Sequence, residues 1–220
     1  MYDQKSTSYF THTRIDIIRS LEGKVFTNVL ELGAGGCDTL LYMKQQGLAK
    51  SITGVELFDI PNSNQQHSEV DHIYIASIEK LTELPLHKKG YDLVICGDVL
   101  EHVFDPWQVL KNVRELLKRD GMIICSIPNF REFQTMRKIF FGGDFAYNPE
   151  GGILDRTHVR FFCKKNIENL FTSTGYTVQS ISPTFKWAEK ANTRKRLNTV
   201  SFGLLEELVT YQYLVKAVLS

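Results

Sequence analysis

The sequence is short of cysteine, of net charge and of long apolar runs, and each shortage excludes something. Its four cysteines (Cys37, Cys96, Cys125 and Cys163) are scattered and form no C-x-x-C pair. That argues against disulfides and a structural zinc site. Three of them lie in or beside apolar runs, where a thiol behaves as a small hydrophobe. Lys+Arg number 26 against Asp+Glu 25, for a net charge of +1. A chain so balanced has no overall attraction for nucleic acid or anionic lipid, and only a local patch stays open. The longest charge-free run, Asn169 to Phe185, is loaded with Ser, Thr, Gly and Pro, so no integral membrane helix is expected. The opening stretch MYDQKSTSYF has no apolar core of signal-peptide length, so a cytoplasmic location is expected. Hydrophobic residues at 43% and charged residues at 23% exclude wholesale disorder. The length, 220 residues, suits a single domain over 1–220.

What is present is alternation. Short β-branched runs, 28–32, 51–57, 73–76, 91–96 and 122–127, are bounded by turn residues and read as buried strands. Helices are predicted between them. One covers 38–46. Another covers 106–118, with Asp105 as N-cap, Pro106 in the first turn and Gly121 as a stop. This pattern implies a parallel sheet with helices on both faces. Residues 130–160 are rich in glycine and aromatics, poor material for a regular element, and read as a substrate-covering insertion. A helix over 165–174 and strands over 176–181 and 211–219 follow, the strands joined by a variable connection, 186–208, and forming an antiparallel edge pair.

Leu30-Glu31-Leu32-Gly33-Ala34-Gly35-Gly36-Cys37 runs from a strand through a glycine turn into a helix. Glycines there let the backbone approach a ligand closely. Glu56 ends the second strand, placed to accept hydrogen bonds from both hydroxyls of an adenosine ribose. A dinucleotide fingerprint would need glycine at position 38, where Asp38 stands. An acidic group suits a pyrophosphate badly. A phosphate-free cofactor with a cationic sulfonium and an ammonium group tolerates Glu31 and Asp38, which points to S-adenosylmethionine rather than NAD.

These residues carry a resemblance. Residues 31–36 (ELGAGG), 55–57, 91–110 (YDLVICGDVLEHVFDPWQVL), 121–129 and 152–162 (GILDRTHVRFF) resemble class I S-adenosylmethionine-dependent methyltransferases. The likeness is strongest to the branch linked to bacterial surface-polysaccharide and glycosyltransferase biosynthesis. It implies an α/β Rossmann-like sheet of order 3-2-1-4-5-7-6 with strand 7 antiparallel. It implies cofactor contacts at Glu31, Gly33, Gly35, Glu56, Ser77, Ile78 and Asp98, with Ser77 standing where the family usually has an acidic residue. It also implies a small-molecule or glycan-linked acceptor, S-adenosylhomocysteine as product, no nucleic-acid partner, and a homodimer or a glycosyltransferase as a possible companion.

Methyl transfer from a sulfonium is an in-line displacement, helped at a hydroxyl by a positioned base. His158 is the expected base and His102 is expected nearer the cofactor, with Asp155 orienting the His158 ring. Transfer to oxygen is expected over transfer to nitrogen. The alternative is a non-catalytic methyltransferase-like binding module that partners a biosynthetic enzyme. No metal is assigned. The cluster Asp98, Glu101 and His102, similar to one that binds a divalent cation in some quinone-biosynthesis O-methyltransferases, is the weaker reading.

Overall fold

The computed structural model describes residues 10–185 and 190–220. A short helix α1 (Ile15–Ser20) precedes β1 (Phe26–Leu32), α2 (Asp38–Gln45), β2 (Ala49–Glu56), β3 (His72–Ile75), β4 (Tyr91–Gly97), α3 (Pro106–Leu116) and β5 (Leu117–Pro128). Then come α4 (Phe133–Gly142), α5 (Lys164–Ser173), β6 (Tyr176–Thr184), α6 (Ala191–Val200), α7 (Glu206–Val209) and β7 (Gln212–Leu219). The strands form one sheet of order β3-β2-β1-β4-β5-β7-β6. Strands β1 to β5 pair in parallel, and β7 runs antiparallel to both β5 and β6. Both the expected order and the expected antiparallel strand are present.

The central strands are apolar throughout because both of their faces are covered. Leu30, Leu32, Val94, Cys96, Ile123 and Cys125 enter one core cluster, which includes residues of α3 and α5. Their neighbours Val29, Leu93, Ile95, Met122 and Ile124 enter the other, which includes residues of α1 and α2. Each such side chain stabilises the fold by about 1.5–3 kcal/mol on burial. Cys37, Cys96 and Cys125 are buried in these clusters, and all four cysteines are free thiols.

Two element predictions need correcting. Helix α3 is capped as expected, with the Asp105 carboxylate accepting from the Gln108 N–H at 2.9 Å. It nevertheless ends at Leu116, because Leu117 is already extended and pairs with Tyr91. Gly121 therefore lies inside β5, where a Cβ would sit 2.9 Å from the Tyr91 carbonyl oxygen. The 130–160 stretch is not devoid of regular structure either. Glu132 caps α4 by accepting from the Thr135 N–H at 2.8 Å, and Gly143, with φ at 60°, closes the helix in the left-handed conformation. A cap at each end lets an aromatic, glycine-flanked segment wind.

Pro128, the last residue of β5, pairs with Gln212, the first of β7. The antiparallel pairing thus brings α4, which follows β5, and α6–α7, which precede β7, to the same end of the sheet. That is the end where the parallel strands finish, and in open α/β sheets it is where ligands bind.

Candidate active site

The turn after β1 needs its glycines for steric reasons. Gly33 has φ +70°, and a Cβ there would lie 2.3 Å from Val99 Cγ2. Gly35 has φ +52°, and a Cβ would lie 2.3 Å from the Phe10 carbonyl oxygen. Cys37 takes the same left-handed conformation (φ 65°) without being glycine, at a cost of about 1–2 kcal/mol. The Glu56 carboxylate closes over this loop, accepting from the N–H of Gly35 and of Leu57, each at 2.7 Å. Burial pushes its pKa up, and these N–H groups pull it back. Glu31 is buried beneath the loop. Desolvation raises its pKa to about 8, opposed by the Arg14 guanidinium and reinforced by Glu56 and Asp38. Ser77, beyond β3, accepts from the Glu79 N–H at 3.2 Å, and Ile78 beside it is buried.

Asp98 follows β4 in a left-handed conformation, φ 58°. Its Oδ1 accepts from Ser126 Oγ at 2.7 Å and from the Gln212 amide. Its Oδ2 pairs with Arg14 Nη1 at 2.7 Å. Three elements (β4's end, β5 and β7) and the start of α1 therefore fix one carboxylate. Arg14 also bonds Asp16, through Nη2 at 2.8 Å. A carboxylate with a guanidinium beside it is the complement of a zwitterion, with Asp98 for an ammonium and Arg14 for a carboxylate.

A second group lies across from these residues. Glu101 is 1% exposed, and neither carboxylate oxygen has a hydrogen-bond partner. Burial drives its pKa well above the ordinary carboxylate value, with the Asp98 charge adding to the effect. His158 Nε2 lies 3.9 Å from Glu101 Oε1. His158 Nδ1 is 3.0 Å from the Ile153 carbonyl, and His102 Nδ1 is 3.2 Å from the Thr157 carbonyl. A carbonyl only accepts, so each Nδ1 carries the proton. The two rings meet edge to face, 4.7 Å apart. Burial, followed by the neighbouring His158, lowers the His102 pKa to about 4. The Glu101 carbonyl in turn accepts from the N–H of Val159 and of Arg160, at 2.9 and 3.0 Å. This stitches the loop after β4 to the exit of the insertion. Asp155 Oδ1 accepts from the backbone and hydroxyl of Thr157.

The methyltransferase-domain family matches residues 11–181. The chain belongs to this methyltransferase family. A ubiquinone biosynthesis O-methyltransferase of Glaesserella parasuis is 30% identical over 132 residues, which are 56% of this chain and 55% of that protein. The same-named protein of Histophilus somni is 27% identical over 68% of this chain and 66% of its own length. The chain thus spans little more than half the length of the first of these relatives. In fold it is similar to an S-adenosylmethionine-dependent methyltransferase from Archaeoglobus fulgidus, with a TM-score of 0.65, 16% identity, and 97% and 94% of the two chains covered. It is likewise similar to the Burkholderia thailandensis 1,6-didemethyltoxoflavin-N1-methyltransferase with bound S-adenosylhomocysteine, with a TM-score of 0.62, 16% identity, and 93% and 76% covered. The domain is a class I methyltransferase, and S-adenosylmethionine is its methyl donor.

In this methyltransferase the sequence-derived residues fall into two groups. Glu31, Gly33, Gly35, Glu56 and Asp98 surround the glycine turn, with Ser77 and Ile78 beyond the end of β3. His102 and His158 gather around Glu101. The anticipated trio Asp98, Glu101 and His102 is not the one that assembles. Glu101, His102 and His158 bring their ligand atoms within 4.8 Å of one another, while Asp98 is committed to Arg14, Ser126 and Gln212. Arg14 and Gln212 were invisible as site residues, since neither lies in a motif. An open groove of about 480 Å³ along α3 and α5 is lined by residues such as Trp107, Arg160 and Asn166. It carries no carboxylate or imidazole, so the chemistry lies elsewhere. Among the described residues no helix is long and apolar enough to cross a membrane.

Proposed function

We propose that the domain moves the methyl group of S-adenosylmethionine to an oxygen of a small or glycan-linked acceptor, with His158 as the base. The observation that carries this reading is the His158 ring itself. Its Nδ1 proton is held by the Ile153 carbonyl, and its Nε2 is turned toward the buried Glu101 carboxylate. An imidazole fixed in this tautomer takes a proton at Nε2, and the adjacent carboxylate stabilises the resulting imidazolium. Glu101 and Ile153 thereby orient the ring. The O-methyltransferase names of the curated relatives support oxygen over nitrogen.

On the cofactor side, Glu56 receives the ribose hydroxyls, and Ser77 and Ile78 border the adenine. Asp98 receives the ammonium, with Arg14 beside it for the carboxylate. Residues 130–160 cover the acceptor. Phe130, Phe145, Tyr147 and Phe161 stack on one another there, and Phe161 reaches His158 with ring centroids 6.3 Å apart. Such a wall packs on the flat face of a ring-shaped acceptor. Its position beside the base favours a sugar or phenol hydroxyl, and the polysaccharide-linked branch remains the finer reading. The test is methyl transfer from labelled S-adenosylmethionine to a panel of glycosides and phenols. His158→Ala should slow transfer by about 10²–10⁴-fold while S-adenosylhomocysteine still binds.

A second reading is favoured by one observation, the two unpartnered oxygens of Glu101. A carboxylate and two imidazoles fit a divalent transition metal, and the carbonyls on each Nδ1 are the supports that metal-binding histidines use. A metal held there by Glu101, His102 and His158 would lower the pKa of a bound hydroxyl. Activity lost in EDTA and restored by one divalent ion would select this reading over the His158 base.

A further inference from the structure

We propose that α4 and the α6–α7 segment form a docking face for an anionic lipid surface. Phe140 and Phe141 at the end of α4 are 77% and 87% exposed. Val200, Phe202 and Leu204, at and beyond the end of α6, are 68%, 95% and 88% exposed. Single exposed apolar residues are ordinary, but adjacent phenylalanines and a second run of large apolar side chains are not.

The two segments are joined at their bases. Arg194 of α6 pairs with Glu132 at the cap of α4 at 2.6 Å, and both side chains are nearly buried. Arg131 pairs with Glu207 of α7, also at 2.6 Å. The Pro128–Gln212 pairing sets both segments at the same end of the sheet.

The charge on these segments selects the occupant. Each acid is already engaged: Glu132 with Arg194, Asp144 with Lys138, Glu207 with Arg131 and Glu206 with Lys164. Among the described residues no acid pairs with the exposed Arg137, Lys195 or Arg196. The two segments therefore carry exposed aromatic and aliphatic side chains together with exposed cations that have no acid partner among the described residues, on a chain whose total charge is only +1. Apolar groups that insert among headgroups, flanked by Lys and Arg, are the signature of interfacial binding to anionic membranes. A second copy of the chain fits less well, because it would bring like charge against like charge.

The full chain should float with vesicles of phosphatidylcholine and phosphatidylglycerol, weakly or not at all with phosphatidylcholine alone, and less as salt rises. Phe140→Ser/Phe141→Ser and, separately, Lys195→Glu/Arg196→Glu should each lower vesicle binding on the order of tenfold or more. Both variants should keep the melting-temperature rise with S-adenosylhomocysteine, which reads the fold and the cofactor site independently of the docking face. No flotation with phosphatidylglycerol vesicles, or undiminished flotation of both variants, overturns the proposal. A dimer in light scattering that the phenylalanine variant dissolves, without vesicle binding by the parent, assigns the face to a second copy and overturns it as well.

Discussion

The Glu56 and Asp98 carboxylates at the glycine loop and the Glu101 carboxylate beside the two histidines are treated in opposite ways. Glu56 has an N–H donor on each oxygen, and Asp98 has a hydroxyl, an amide and a guanidinium. Glu101, buried more deeply than either, has no hydrogen-bond donor among the described residues and has the His102 and His158 rings beside it. A satisfied carboxylate is a fixed acceptor or counter-charge, suited to holding a ligand that keeps its own protons. An unsatisfied one in a dry site is an unmet demand for a proton or a cation, and that demand can drive chemistry. Under the proposed function the first group holds and the second reacts.

The largest effect expected from this contrast is kinetic. His158→Ala should lower kcat by about 10²–10⁴-fold with S-adenosylhomocysteine affinity nearly unchanged. Steady-state kinetics paired with calorimetric titration separates the two quantities. Equal losses in both would erase the division between holding and reacting and make His158 a structural residue.

Next in size is a pH effect at Glu31. Burial raises its folded-state pKa from 4.5 to about 8, so the folded chain binds more protons than the unfolded one across that window. Stability from this group is full below about 4.5 and is lost as pH rises toward 8. Relative to Glu31→Gln, which has no such titration, the parent should lose about 3–5 kcal/mol over that range. Urea unfolding of both proteins at several pH values measures it. A parallel pH dependence would mean that Arg14 holds Glu31 ionised throughout.

How far the sequence foretold each region follows from chain distance. The loop, its strand and Glu56 are read from short stretches in which strand end, glycine and helix start are consecutive. Their steric needs, Gly33 against Val99 and Gly35 against Phe10, act on a backbone the pattern already specifies. The sheet order came with the family resemblance, and the antiparallel end pair came from reading the two terminal strands as joined by a non-crossover connection. The group around Glu101 was less legible because its members are far apart. Glu101 and His158 are distant in the chain, and the Val159 and Arg160 N–H bonds to the Glu101 carbonyl help to bring them together. Arg14 reaches Asp98 across 84 positions, and Gln212 reaches it across 114. No local periodicity records such meetings. Helix α4 was missed because composition was weighed above its caps, Glu132 and Gly143.

A smaller effect tests the holding side. Glu56→Ala removes the acceptor expected for the ribose hydroxyls, and S-adenosylhomocysteine affinity should fall by about 1.5–3 kcal/mol, roughly 10- to 150-fold. The Gly35 and Leu57 N–H groups lose their acceptor in the same variant, so a melting curve without ligand is needed alongside. If affinity is unchanged while unliganded stability drops, Glu56 is a brace for the loop rather than a cofactor contact.

The smallest effect concerns the cover over the reacting side. The insertion is anchored at its two ends and sparsely in between. Asn148 N–H bonds the Leu154 carbonyl, Arg156 N–H bonds the Asn148 carbonyl, and Phe145 leans on Phe130 and Phe161, yet every residue from 141 to 150 is exposed. Segments with few buried contacts open at low free energy, and lids are drawn from them. Limited proteolysis should therefore cut near Gly142-Gly143, where α4 ends, and near Gly151-Gly152, whose φ angles of 137° and 92° mark a turn. S-adenosylhomocysteine together with an acceptor that supports turnover should slow both cuts severalfold, whereas S-adenosylhomocysteine alone should slow them less, because the cofactor touches the rim and the acceptor touches the cover. Equal cleavage in all three states would make 130–160 a fixed wall rather than a cover that closes over the acceptor.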